Sequence, residues 1–152
     1  MAAKGGGSEN KSKLAMLNPP TASLTGWLTR YHYGAGWCPP GILGIGIGGT
    51  AEKAMVLAKE SLMAPVDIHE LRARGPQSRI EELRLEIMDA ANRTGIGAQG
   101  LGGLTTVLDV KIKDYPTHAA SLPVAMIPTV PPRGMPILRS LETDLPCRHH
   151  PT

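Results

Sequence analysis

Residues 34–54 read "GAGWCPPGILGIGIGGTAEKA". The centre, Ile42 to Ile47, is a short apolar run that reads as a buried strand. Thr50 stands where a helix N-cap belongs, because its side-chain oxygen can accept from an amide of the first turn. From Ala51 to Met63 the apolar positions Ala54, Leu57, Ala58 and Leu62 recur on one helical face, and Pro65 ends that helix. A strand running into a helix across a glycine turn is the unit from which an α/β domain is built.

The rest of the chain extends that unit. "SRIEELRLEIMDAANRTG" predicts a second amphipathic helix: Ser78 and Glu81 have capping-box spacing. Ile80, Leu83, Ile87 and Ala91 form its apolar stripe, and Gly95 sits where a C-terminal stop belongs. "TVLDVKI" alternates, with Leu108, Val110 and Ile112 against Asp109 and Lys111, and predicts a half-buried strand. "PVAMIP" predicts another short strand. "TASLTGWLTRYHY" is weakly helical. The opening "AAKGGGSENKSK" reads as a flexible start. Within it Gly5, Gly6 and Gly7 permit close backbone approach, and Ser8, Asn10, Lys11 and Lys13 supply donors. "VPPRGMPILRSLETDLPCRHHPT" has five prolines and no periodicity, so no regular structure is expected over 130–152.

Composition narrows the class. At 152 residues and 41% hydrophobic, the chain is long and apolar enough for one domain with a real core. With 3% aromatics and no Phe, that core must be built from Ile, Leu, Val, Met and Ala. The net charge of +3 is scattered, without a run of like charges or interleaved aromatics, so a solvated surface is favoured over nucleic-acid binding. No apolar run approaches a membrane span and no signal peptide is visible. Two distant cysteines make no disulfide framework, so a reducing, cytoplasmic setting is expected.

Several motifs compete for chemistry. Gly44, Gly46 and Gly49, and again Gly95, Gly97 and Gly100, spell the dinucleotide fingerprint. Asp67 and Glu70 are poorly placed for a ribose contact, and the second match leads into a strand, so the reading is against a nucleotide. Cys147, His149 and His150 look like a metal cluster, but their spacing fits no zinc pattern. Cys38 is different. Pro39 and Pro40 fix the chain after it and remove two amide donors, while Gly34, Gly36 and Gly41 keep its surroundings small. Such a setting suits a bulky inorganic ligand pressed against backbone, although an inert buried thiol is the commoner fate. His118 lies in a polar turn with Asp114 and Thr117, as a structural histidine or a functional one.

Taken together, "AKGGGSENKSK", "GAGWCPPGILGIGIGGTAEKA", "IGAQGLGGLTTVLDVKIKDYPTHAA" and "PVAMIP" resemble the iron–sulfur class I fumarases and the related tartrate dehydratase α-type domain. The similarity covers residues 3–129. It implies an α/β fragment of the N-terminal, α-type domain, with short strands, at least two amphipathic helices and an irregular tail. It implies a [4Fe–4S] cluster held by three thiolates, whose fourth iron acts as a Lewis acid on a C4 dicarboxylate: fumarate or malate, or tartrate. Cys38 matches the second cluster ligand. Gly7 matches a glycine whose amide contacts substrate, and His118 a histidine beside the substrate oxygens. The resemblance also implies a β-type domain or subunit and an oligomer.

The chain departs from that pattern in two places. The family's first cluster cysteine belongs upstream of "KGGGS", and the expectation is that this chain starts after it. The third should follow "MIPT" directly, as Cys-Ala-Ala-Thr-Arg-His-Ala-His-Phe; here "VPPRGMPI" follows. Written as TGT GCC GCC ACG AGG CAT GCC CAT TTT, the family residues yield the observed ones when the first T is dropped. GTG CCG CCA CGA GGC ATG CCC ATT translates as Val130 through Ile137. The expectation is a partial hydro-lyase domain over 1–129 and an out-of-frame tail over 130–152. It carries one cluster ligand of three and is inactive alone. The rivals are a non-catalytic interaction fragment and a pseudogene product.

Overall fold

In a computed structural model of the chain, residues 4–19, 23–30, 36–65 and 67–130 are described; Cys147, His149, His150 and the rest of the tail beyond Val130 lie outside them. The elements are α1 (Gly6–Glu9), β1 (Lys13–Leu17), α2 (Leu24–Arg30), β2 (Gly41–Gly48), α3 (Ala51–Ser61), α4 (Ile68–Arg74), α5 (Arg79–Asn92), β3 (Val107–Tyr115) and β4 (Leu122–Thr129). A four-stranded sheet has the order β1-β4-β2-β3. β2 and β3 are parallel, and β4 runs antiparallel to both β2 and β1. The domain is α/β, as the sequence predicts.

β2 explains the layering. Its odd positions Leu43, Ile45 and Ile47 enter the larger core with Trp37, Leu71, Ile87 and Val110. Its even positions are Gly44 and Gly46, and α3 lies directly on them. A Cβ on Gly44 would stand 2.3 Å from the Ala58 carbonyl oxygen, and one on Gly46 would stand 2.0 Å from that of Ala54. Ala54 and Ala58 are one helical turn apart, so two small residues on the helix meet two glycines on the strand. β4 divides in the same way: Val124 and Met126 face the larger core, while Ala125 and Ile127 join Ala54 and Ala58. Gly44 and Gly46 of the first fingerprint match are therefore a packing surface inside a strand, and Gly49 follows the strand's end with a φ of +71°.

The caps form where the sequence places them. Thr50 Oγ1 accepts from Lys53 N at 3.4 Å, and Ser78 Oγ from Glu81 N at 3.3 Å. The Glu81 carboxylate does not complete a capping box with Ser78. It accepts from Gln77 N at 2.8 Å and pairs with Arg74, tying α5 to the end of α4.

Four expectations change. The opening segment, read as a flexible start, carries α1 and leads into β1. α3 stops at Ser61, two residues short of Met63. Asp67 opens a further helix, α4, by accepting from Glu70 N at 2.8 Å. The alternation in β3 does not separate core from solvent. Asp109 and Lys111 are buried and Leu108 is 40% exposed. The physical reason is cover from two sides: the turn after α3, where Lys111 Nζ donates to Ala64 O at 2.9 Å, and α5. Arg84 of α5, also buried, pairs with Asp109 at 3.2 Å, as does Lys111 from the strand itself. Arg84 Nε further donates to Val110 O at 2.6 Å, and Asn92 Nδ2 to Val107 O at 3.1 Å. Helix side chains thus cover a sheet edge that would otherwise offer bare backbone groups.

Candidate functional site

The parallel pair β2–β3 gives the sheet two ends, and the candidate residues divide between them. Cys38 stands at the end where β2 begins, three residues before Gly41. Trp37 on one side is 1% exposed and Pro39 on the other is buried, while Cys38 itself is exposed. Its φ of +60° lies in the left-handed region, unusual for a non-glycine residue, and the following Pro39–Pro40 bond is cis. The thiol is thus held outward by a chain anchored on both sides.

Three other segments meet this end. Gln99 N donates to Pro39 O at 2.8 Å, which brings the glycine-rich 95–103 loop against the cysteine loop. Lys11 approaches Gly36 so closely that a Cβ there would lie 2.7 Å from its Cε. Thr129, at the end of β4, is register partner to Ile42, and a Cβ on Gly41 would lie 2.4 Å from its carbonyl oxygen. Val130, the next residue, packs against the core. Ahead of Lys11, the glycine turn in α1 is tied to α3 through Glu9. Its carboxylate pairs with Lys4 at 2.7 Å and Lys59 at 2.5 Å. The Lys4 hydrogen bond first, and then that from Lys59, hold Glu9 below the usual carboxylate range.

His118 is at the other end. The β2–β3 register runs from Gly41↔Val107 to Gly48↔Tyr115, and His118 comes three residues after Tyr115. Seven strand steps, about 23 Å, separate the two ends. There His118 lines an open pocket of about 780 Å³ with Met16, Gly49, Thr50, Lys53 and Tyr115. Its turn is fastened by Thr117 Oγ1, which donates to Gly49 O at 3.0 Å. Ala120 N donates to His118 Nδ1 at 3.1 Å, so in the neutral ring the proton sits on Nε2. Lys53 Nζ lies 5.3 Å from the Tyr115 ring centre. Glu52, on the first turn of α3, is held below the usual carboxylate range by its own amide and then by the Thr50 hydroxyl.

The fumarate hydratase (Fumerase) family model matches residues 1–129. The chain belongs to this family. Among its relatives, a Methanocaldococcus jannaschii protein that carries the name of a putative L(+)-tartrate dehydratase subunit alpha is 42% identical over 127 residues, 81% of this chain and 43% of its own length. The L(+)-tartrate dehydratase subunit alpha of Escherichia coli K12 is 35% identical over 89 residues, 59% of this chain and 28% of its own length. The chain thus spans less than half the length of these relatives.

Within this fumarase-family domain, the three residues singled out by sequence divide between the ends. The α1 segment that carries Gly7 and the loop that carries Cys38 converge; His118 stands apart from both. Cys38 is the described thiol, and among the described residues no group of three or more His, Cys, Asp or Glu could hold a metal ion. One described thiolate falls short of the three that the resemblance implies for a cluster, so the described residues do not by themselves fit a cubane. Sequence reasoning missed Glu9 and Lys59, and it did not place the 95–103 loop beside Cys38. The loop is visible as "GIGAQGLGG", but its spelling points to a nucleotide turn. Gly97 and Gly102 instead form an isolated bridge that shapes it against Pro39. Among the described residues no helix is long and apolar enough to cross a membrane.

Proposed function

We propose that this chain is a partial α-type domain of a class I hydro-lyase. The intact parent would hydrate fumarate reversibly, or dehydrate tartrate, with a [4Fe–4S] cluster to which Cys38 contributes one thiolate. It would work with a β-type domain or subunit, as an oligomer, in the cytoplasm. The observation that carries this reading is the convergence at one end of β2. Cys38, the Lys11–Gly36 approach and the start of the segment after Thr129 meet there. The position at which the family pattern places its third cysteine is Val130, so a thiol there would enter the same end of the sheet as Cys38. On this reading these residues do not assemble a cluster built on three thiolates, because Cys38 is the one that matches a ligand position.

Two experiments test this. Anaerobic reconstitution of the chain with iron and sulfide is expected to give no stable cluster absorbance. Near four irons per chain, lost in Cys38→Ala, would refute that. Then the frame after Thr129 is restored and the upstream cysteine segment and C-terminal domain are supplied. The completed enzyme is expected to hydrate fumarate or dehydrate tartrate anaerobically, and Cys38→Ser to abolish turnover. Sequencing the gene tests the tail: a frame encoding no Cys-Ala-Ala-Thr-Arg-His beside "MIPT" would remove the frameshift.

A second reading is favoured by the leucines next to the cysteine loop, Leu101 at 89% and Leu104 at 92% exposed. Two exposed leucines so close in sequence suit docking on an intact subunit. A tagged chain that brings down a full-length fumarase would favour it over a product without a role.

A further inference from the structure

The turn that carries Gly5, Gly6 and Gly7 has almost no apolar anchor. A Cβ on any of the three would meet nothing within 4 Å. In α1 itself, only Ser8 is buried. Charge holds the segment instead. Lys4 Nζ pairs with Glu9 Oε2 at 2.7 Å and donates to Ser8 Oγ at 3.0 Å, and Ser8 Oγ donates to Gly5 O at 3.0 Å. The other Glu9 oxygen takes Lys59, fifty residues on in α3. One carboxylate, at the end of α1, therefore joins Lys4 just before the glycines to Lys59 in the helix that packs on β2.

We propose that Glu9 is a positioning residue, whose carboxylate, held between Lys4 and Lys59, fixes the glycine turn on α3. The purpose of the clamp, keeping the Gly7 amide in place for a substrate oxygen, rests on the proposed function; the clamp itself does not. Neither pair is deeply buried, so each is weak and open to screening by salt. The turn is consequently a reversible element. It is fixed while Glu9 is ionised and released when the charge is removed or screened. Lys4 and Lys59 are the charged groups facing Glu9. β4, packed under α1, carries no titratable side chain. Since both lysines hold Glu9 below the usual carboxylate range, the clamp is present at neutral pH and is lost as pH falls through that lowered value.

The test is backbone ¹⁵N relaxation on the full chain. At low ionic strength Gly5 to Gly7 are expected to show order parameters of about 0.85, like β4, falling below about 0.6 in Glu9→Gln. Lys59→Gln should loosen the turn as well. The double variant should be no looser than Glu9→Gln, and Glu9→Asp should recover part of the rigidity. Unchanged β4 values report that the sheet is intact. In the unmodified chain, about 1 M salt, where the Debye length is about 3 Å, should loosen the same three residues. A turn that stays rigid in Glu9→Gln overturns the proposal. So does a turn indifferent to salt, which decides the matter where a variant fails to fold. No cluster or turnover is needed, so failure of the hydro-lyase reading would leave the clamp standing. A rigid turn in Glu9→Gln would remove the clamp without touching that reading.

Discussion

Gly46 is where one backbone rests on another. An added methyl would stand 2.0 Å from Ala54 O and 2.6 Å from Ala58 N, both fixed in α3. Gly46→Ala is therefore expected to cost about 1–3 kcal/mol, since the helix must lift off the sheet. Gly7→Ala, with open space around it, should stay within about 0.5 kcal/mol. Urea midpoints compare the two, and equal losses would contradict the close-packing role of Gly46. Arg84 offers a second test. Its removal uncaps Val110 O and leaves buried Asp109 with Lys111. Arg84→Met is expected to cost about 3 kcal/mol, the scale of breaking a buried ion pair from one side. A loss below about 1 kcal/mol would mean that Lys111 alone satisfies Asp109. Thr50 and Ser78 are legible as caps because capping is local chemistry. Asp109 and Lys111 are not legible as buried. Alternation marks the two sides of a strand, but whether the polar side is covered depends on Arg84 and on the Ala64 carbonyl, both far away in sequence.

The elements that the sequence hides are the short ones. α4 has seven residues, too few for a periodicity to stand out, and its N-cap Asp67 is as easily considered for a ribose contact. β1 has five, "KLAML", and its burial reflects its place at the sheet edge more than any alternation. The longer α3 and α5 are legible because an apolar stripe repeats over three or more turns. What joins the short elements is electrostatic, and this gives a pH prediction. The Glu70 amide, above all, holds Asp67 below the usual carboxylate range. Arg74, and then the Gln77 amide, do the same for Glu81. Depressed carboxylates stabilise the fold above their ordinary values, and that stabilisation is lost as pH falls through the lowered ones. Amide exchange over residues 67–82, corrected for its intrinsic pH dependence, should therefore quicken as pH falls below about 4, while β2 and β4 remain protected. Glu81→Gln should flatten the part that lies at the α4–α5 joint. Loosening centred near pH 6 would implicate a histidine instead.

Across the whole molecule, Cys38 and His118 stand at opposite ends of one sheet. The resemblance puts both beside the same substrate, and sequence alone does not show the conflict, because it does not state which strand ends lie together. Parallel β2 and β3 fix the geometry: the start of β2, with Cys38 ahead of it, lies about 23 Å from the end of β3, with His118 beyond it. If both residues serve one substrate in the completed enzyme, His118 must reach a cluster held by a different copy of the domain. Complementation tests this directly. Cys38→Ser and His118→Asn are prepared separately in the completed enzyme, the first expected to be dead and the second impaired with its cluster absorbance intact. The two are then unfolded, mixed in equal amounts, refolded and reconstituted. In a dimer with shared sites, a mixed pair carries both lesions in one site and neither in the other. Random pairing makes about half of the dimers mixed, so activity should rise towards about a quarter of the unmodified enzyme. If His118 acted on the cluster of its own chain, no mixed pair would hold an intact site and the mixture would only average its parents. If His118→Asn alone left turnover untouched, His118 would have no part in the reaction, while the assignment of Cys38 would stand.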